Sequence, residues 1–168
     1  MKLVEKLNIK KNLHFKLEDI YFCILIILIF ITDRFFKIKI ITKFSDNTFF
    51  VNNFINLDLI WNTGIGFGIL TSDSIIVYNL ITIFIALVIL YLIYIAINSD
   101  RFDKFVFSII IGGALGNFYD RLFFKAVPDF IDFHFKDLHW FTFNIADIFI
   151  SFGVLIFLTK GLFIKNEK

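Results

Sequence analysis

From Ser74 to Ser99 the chain runs without a charged residue, through a stretch dominated by Ile, Leu, Val, Phe, Tyr and Ala. A helix crossing the hydrocarbon core of a bilayer needs about 20 mostly apolar residues, so this stretch is long enough to span. Composition agrees: 58% of the 168 residues are hydrophobic, 26 are Phe, and mean hydropathy is +0.81, whereas soluble domains are roughly 45–50% apolar. The expected fold is a membrane protein, mainly α, formed as a single domain over residues 1–168.

Hydropathy places four spans at about 18–35, 74–98, 105–122 and 141–163. The first follows a basic leader and superficially resembles a secretory signal. Thr32-Asp33-Arg34, however, offers no small-residue cleavage pattern, so it reads as a retained span. In the third, Gly112 and Gly116 form a small-xxx-small face suited to close helix packing. Lys and Arg number ten on the side of the two termini and the 98–104 loop, and seven on the other side. The positive-inside rule then puts both termini in the cytoplasm. On the outer side, residues 38–70 alternate β-branched, aromatic and polar residues before a glycine-rich run, which predicts short strands and a turn. Phe35, Phe36, Trp61 and Trp140 suit the headgroup level.

The small net charge of +2 gives no reason to expect a nucleic-acid partner. Cys23 lies alone in an apolar run, which excludes a disulfide framework and reads as a lipid-facing or core thiol. His14 in the leader reads as solvated. The serine-elbow, zinc-protease and phosphate-loop signatures are missing from the sequence. Asp132, His134, Asp137 and His139 could form a metal cluster, but their linear spacing suits no named site, and the preferred reading is surface or interfacial polar residues.

The chemistry is carried by acids in unfavourable places. An ionised Asp at a helix centre costs about 2.5–3.5 kcal/mol on insertion scales, so such residues face a protein interior or a wet cavity. Asn117-x-x-Asp120 and Asn144-x-x-Asp147 each put an amide and a carboxyl on neighbouring helical turns. Two carboxyls at close range cannot both ionise easily; one keeps a proton, which supplies a general acid and a general base from one residue type. Peptide hydrolysis could use that pair. Spacing alone does not decide which two of Asp120, Asp129 and Asp147 meet. A small transporter using intramembrane acids, or a noncatalytic scaffold using the polar residues for helix packing, would draw on the same residues.

The ordered motifs Asp33-x-x-x-Lys37, Asn62-Thr-Gly64-Ile-Gly-Phe67-Gly68, Gly112-Gly-Ala-Leu-Gly116-Asn117-Phe-Tyr-Asp120-Arg121, Val127-Pro-Asp129-Phe-Ile-Asp132 and Phe143-Asn144-Ile-Ala146-Asp147 resemble those of bacterial lipoprotein signal peptidase, the type II signal peptidase. The resemblance implies an inner-membrane aspartic peptidase with four transmembrane helices, a small periplasmic β-sheet cradle and a short amphipathic element. It implies diacylglyceryl-modified prolipoprotein substrates cut just before the lipidated cysteine, membrane lipids as surroundings, a monomer, and no cofactor or metal. Asp129 and Asp147 take the catalytic positions. Asp120 is expected to pair with or orient Arg121, and Arg121 and Asn62 to contact the substrate backbone. Asn117 and Asn144 would shape the site by hydrogen bonding, Asp33 would tie the first span to the outer cradle, and Gly64 would permit close backbone approach. Pro128, before Asp129, removes a backbone donor and could alter local hydrogen bonding.

Overall fold

The computed structural model describes residues 17–44, 48–64 and 74–164. The glycine-rich residues 65–70, the basic leader up to residue 16, and His14 within it, lie outside them. Four helices, α1 (Leu17–Lys43), α2 (Ile75–Asn98), α3 (Arg101–Phe124) and α4 (Ile145–Ile164), carry one sheet. Its strands are β1 (Phe49–Asn52) and β2 (Ile55–Asn62), between α1 and α2, and β3 (Val127–Phe135) and β4 (Leu138–Phe143), between α3 and α4. All neighbours are antiparallel, in the order β1-β2-β3-β4.

Helix α3 is the central post, packed against the other three helices, and its glycines explain how. A Cβ on Gly112 would lie 2.9 Å from Ile29 Cβ, and one on Gly116 would lie 2.5 Å from Asp33 Oδ2, so both glycines face α1. A Cβ on Gly113 would stand 2.6 Å from the Ala146 carbonyl oxygen of α4. Only hydrogen fits at these crossings, and backbone proximity of this kind is what small residues give membrane helices. Below them, Val106, Phe107, Ile110 and Ile111 form the apolar core with Ala96 of α2.

The exterior is greasy and the charges are gathered inside or at the ends. Tyr21, Ile27, Leu28, Leu80, Phe84, Tyr91 and Leu155 are all more than half exposed. At one end Lys104 bonds Asp19 at 2.6 Å, and Lys160 bonds Asp103 at 2.5 Å and Asp100 at 3.2 Å. At the other end the sheet covers a second, buried set of charges. Among the described residues, α2 is the helix whose length and composition alone suffice to cross a membrane. The other three carry ionisable residues within their length.

Two expected boundaries are corrected. Helix α1 continues through Lys43, past the expected span end at about residue 35 and into residues 38–70, where short strands and a turn were expected. Helical geometry puts Lys37 one turn from Asp33, at 2.8 Å, and buries Ile40. Residues 141–143, expected to begin the last span, instead complete β4, with Phe141 opposite Phe133 and Thr142 opposite Asp132. The short strands expected before residue 62 are β1 and β2. The expected amphipathic element is not among the described residues. Cys23 is exposed on α1.

Candidate active site

Helix α4 begins where β4 ends, and Asn144 makes the junction. Its side-chain Oδ1 accepts from the Asp147 backbone N–H at 3.1 Å, while Asp147 Oδ2 accepts from the Asn144 N–H at 3.2 Å. This is a reciprocal capping box, which satisfies two donors at the helix start and fixes the Asp147 side chain in the first turn. The other half of the Asn144 side chain, Nδ2, donates to Asp129 Oδ1 at 2.6 Å. One asparagine therefore grips an acid on β3 and an acid on α4.

Each carboxylate has a second amide. Asn62, at the end of β2, donates to Asp129 Oδ2 at 2.8 Å, and its Oδ1 receives the Gly64 N–H at 2.8 Å. Asn117 of α3 donates to Asp147 Oδ1 at 2.8 Å. Asp129 is 3% exposed, whereas Asp147 keeps a partly open side. Burial, reinforced by the negative charge of Asp147, pushes the Asp129 carboxyl up to about 6, against the opposing pull of the Asn62 and Asn144 amides.

Behind the pair lies a buried ionic cluster. The Nζ of Lys37, wholly buried, bonds Asp120 Oδ2 at 2.7 Å and Asn117 Oδ1 at 2.8 Å, and pairs with Asp33 at 2.8 Å. Arg34 closes on the other Asp120 oxygen and lies over the Tyr119 ring, 4.8 Å from its centroid. Two acids thus face two cations, and the Lys37 contact forces Asn117 to present its NH2 to Asp147. Asp33 Oδ1 also accepts from the Ala146 N–H at 3.0 Å, pinning the start of α4 one residue before Asp147.

Arg121 points elsewhere. Its guanidinium donates to the Gly64 carbonyl at 2.8 Å and the Asn117 carbonyl at 3.1 Å, and its own carbonyl accepts from the Tyr78 hydroxyl at 2.9 Å. The expected Asp120–Arg121 pairing is not what the structure has: successive helical residues do not face each other, and Asp120 turns to α1. Asp33 likewise ties α1 to the first turn of α4, not to the sheet. Asp120, the third candidate acid, is occupied by two cations, which leaves Asp129 and Asp147 as the pair joined through Asn144.

A model of the family described as signal peptidase (SPase) II matches residues 25–163. The chain belongs to the signal peptidase II family. A lipoprotein signal peptidase of Pelagibacter ubique is 42% identical over 168 residues, covering 98% of this chain and 97% of the relative. That of Francisella tularensis subsp. novicida is 39% identical, covering 75% and 85% respectively. Two solved bacterial membrane enzymes share the fold, with TM-scores of 0.74 and 0.72 at 30% and 28% identity, over 88% and 84% of this chain and 91% and 92% of theirs. Signal peptidase II enzymes are membrane-bound aspartic peptidases that remove signal peptides from prolipoproteins, so the transporter and scaffold readings are set aside.

For this signal peptidase II, sequence reasoning gave Arg34 no part beyond a loop charge and Lys37 none beyond its place in a motif. The Asp33-x-x-x-Lys37 spacing was the available signal, since a lysine one helical turn from an acid in an apolar run needs burial with partners. Asp132 and His134, read as surface or interfacial polar residues, are not at the surface but buried, at 5% and 6% exposure; β3 is covered along most of its length, so its polar residues go inside with it.

Proposed function

We propose that Asp129 and Asp147 are the catalytic dyad of this signal peptidase II, and that it acts on diacylglyceryl-modified prolipoproteins, cutting just before the lipidated cysteine. The observation that carries the reading is the double grip of Asn144 on both carboxyls. A raised Asp129 carboxyl helps the pair hold a single proton. The ionised member takes a proton from water as the water oxygen attacks the scissile carbonyl. The protonated member donates to the carbonyl oxygen, and the tetrahedral intermediate then collapses with proton transfer to the departing amine. Asn117, Asn62 and Asn144 hold the carboxyls still during this exchange, with Lys37 setting the direction of the Asn117 amide. Arg121 and Asn62 fix the carbonyl and amide of Gly64, and that segment, with these two side chains, meets the substrate backbone.

All four helices cross the bacterial inner membrane in this reading, with both termini cytoplasmic and the dyad toward the periplasm. The exposed apolar faces of α1 and α4, including Ile27, Leu28, Ile31, Phe152, Leu155 and Leu158, support the additional spans. Arg34 and Lys37 are buried and paired, so omitting them from the outer loop charges widens the positive-inside bias. Exposed Phe35, Phe36, Trp61 and Trp140 suit the outer headgroup level. The enzyme works as a monomer among membrane lipids, without a cofactor.

The test is cleavage by the detergent-purified protein of one prolipoprotein in diacylglyceryl-modified and unmodified forms, with the product N-terminus read by mass spectrometry. Cleavage of the modified form alone, leaving the lipidated cysteine first, is the expected result. Equal cleavage of both, or a cut elsewhere, overturns the substrate assignment.

A further inference from the structure

Beyond the dyad, the far end of the β3–β4 hairpin holds a second cluster of ligating side chains. We propose that Asp132, His134 and His139 form a binding site for a divalent first-row transition-metal ion such as Zn2+, bridging the two strands.

Asp132 and His134 of β3 are both buried, and His139 of β4 pairs with His134 just past a shift in the β3–β4 register at Phe133/His134. One donor atom from each of the three lies within 4.8 Å of the other two. Asp132 Oδ2 is 2.7 Å from His139 Nδ1 and 3.6 Å from His134 Nδ1, so both imidazoles converge on one carboxylate oxygen. The rings run nearly parallel, 23° apart with centroids at 5.3 Å.

A simple hydrogen-bonded cluster leaves this arrangement incomplete. His134 is 94% buried, being 6% exposed, yet its Nδ1 has no hydrogen bond among the described residues. Asn56, opposite Asp132 on β2, also has a buried, unpartnered Oδ1, and its Nδ2 stands 3.5 Å from Asp132 Oδ2. Buried polar atoms left without partners carry their full desolvation penalty. A cation at the point of convergence engages the His134 nitrogen.

The dimensions suit such an ion. Tetrahedral zinc with bonds of about 2.0–2.2 Å sets its ligands about 3.3–3.5 Å apart, and the two observed separations from Asp132 Oδ2 bracket that range. His139 has an exposed side chain, 58% accessible, so its ring can draw back as the ion enters and the proton it shares with Asp132 leaves to solvent. Two imidazoles and one carboxylate favour zinc, copper, nickel or cobalt over magnesium or calcium, which prefer oxygen ligands throughout. The strands only needed to be paired for the sequence to show this: Asp-x-His on one strand and a His across the turn is a three-ligand set that linear spacing hides.

The test is isothermal titration of Zn2+ into tag-free, chelator-treated full-length protein in detergent, with Co2+ visible absorption as a second readout. Expected are one Zn2+ per chain and cobalt d–d bands, with affinity reduced at least tenfold and the bands lost in His139→Ala. His139 is exposed, so this variant leaves the fold intact; His14→Ala, in the leader, should bind as the parent does. His134→Gln, checked for folding by circular dichroism, should behave as His139→Ala does. No stoichiometric binding by folded parent protein, or undiminished binding by His139→Ala, overturns the proposal.

Discussion

Asn144 and Asp147 cap each other: the side-chain oxygen of the first accepts from the backbone of the second at 3.1 Å, and the reverse bond is 3.2 Å. The same contact starts a helix and fixes an acid, while the free amide of Asn144 holds Asp129 at 2.6 Å. Stability and chemistry are thus joined in one residue, and substitutions can separate them.

Asn144→Ser keeps a good N-cap but is too short to reach Asp129, whereas Asn144→Ala loses both contacts. Losing the cap costs about 1 kcal/mol, and an acid displaced by an ångström costs about 100-fold in rate. Both variants should lose cleavage by roughly that factor, while only Asn144→Ala should show a clear fall in thermal stability by circular dichroism.

Lys37 is wholly buried between Asp33 and Asp120. Removing one partner of a buried ionic group leaves charge uncompensated, at about 3–5 kcal/mol. Lys37→Met should destabilise the protein by that order in chemical unfolding. Arg34→Gln should cost less, because Lys37 remains to pair Asp120.

Asp129 is raised from 3.8 to about 6 in the native state. The folded protein therefore binds this proton more tightly than the unfolded chain does. Its contribution favours the fold fully below about pH 4 and is lost as pH rises through about 6, a change on the order of 3 kcal/mol. Unfolding measured from pH 4 to 8 should show this decline in the parent protein, and Asp129→Asn should remove that component.

Gly113 meets the Ala146 carbonyl, next to Asp147. Gly113→Ala should push α3 from α4, destabilise by about 1–3 kcal/mol and reduce cleavage by displacing Asp147. A variant with parental melting temperature and rate would contradict the close-packing argument.

Much of this was legible in the residues. The uncharged stretch from Ser74 gave α2, and the Gly112 and Gly116 face announced a close helix crossing whose partner, α1, only the packing names. The end of α1 was not, because Lys37, Lys39 and Lys43 read as loop charges, and only the partners waiting on α3 make burial of Lys37 acceptable. Neither was the partner of Asp120. The family resemblance suggested Arg121, but helical geometry separates neighbours and tertiary packing supplied Arg34 and Lys37 from a helix more than eighty residues away. The start of α4 was obscured because Phe141 to Phe143 are apolar enough for a span, yet pair with β3.

The most direct test of the account is single-turnover cleavage of a diacylglyceryl-modified prolipoprotein by Asp129→Asn, Asp147→Asn and Asp120→Asn, each shown to be folded by circular dichroism. The account predicts that the first two lose detectable cleavage, because the pair then lacks an acid or a base, while folded Asp120→Asn retains measurable turnover. Substantial cleavage by either Asp129→Asn or Asp147→Asn would contradict it.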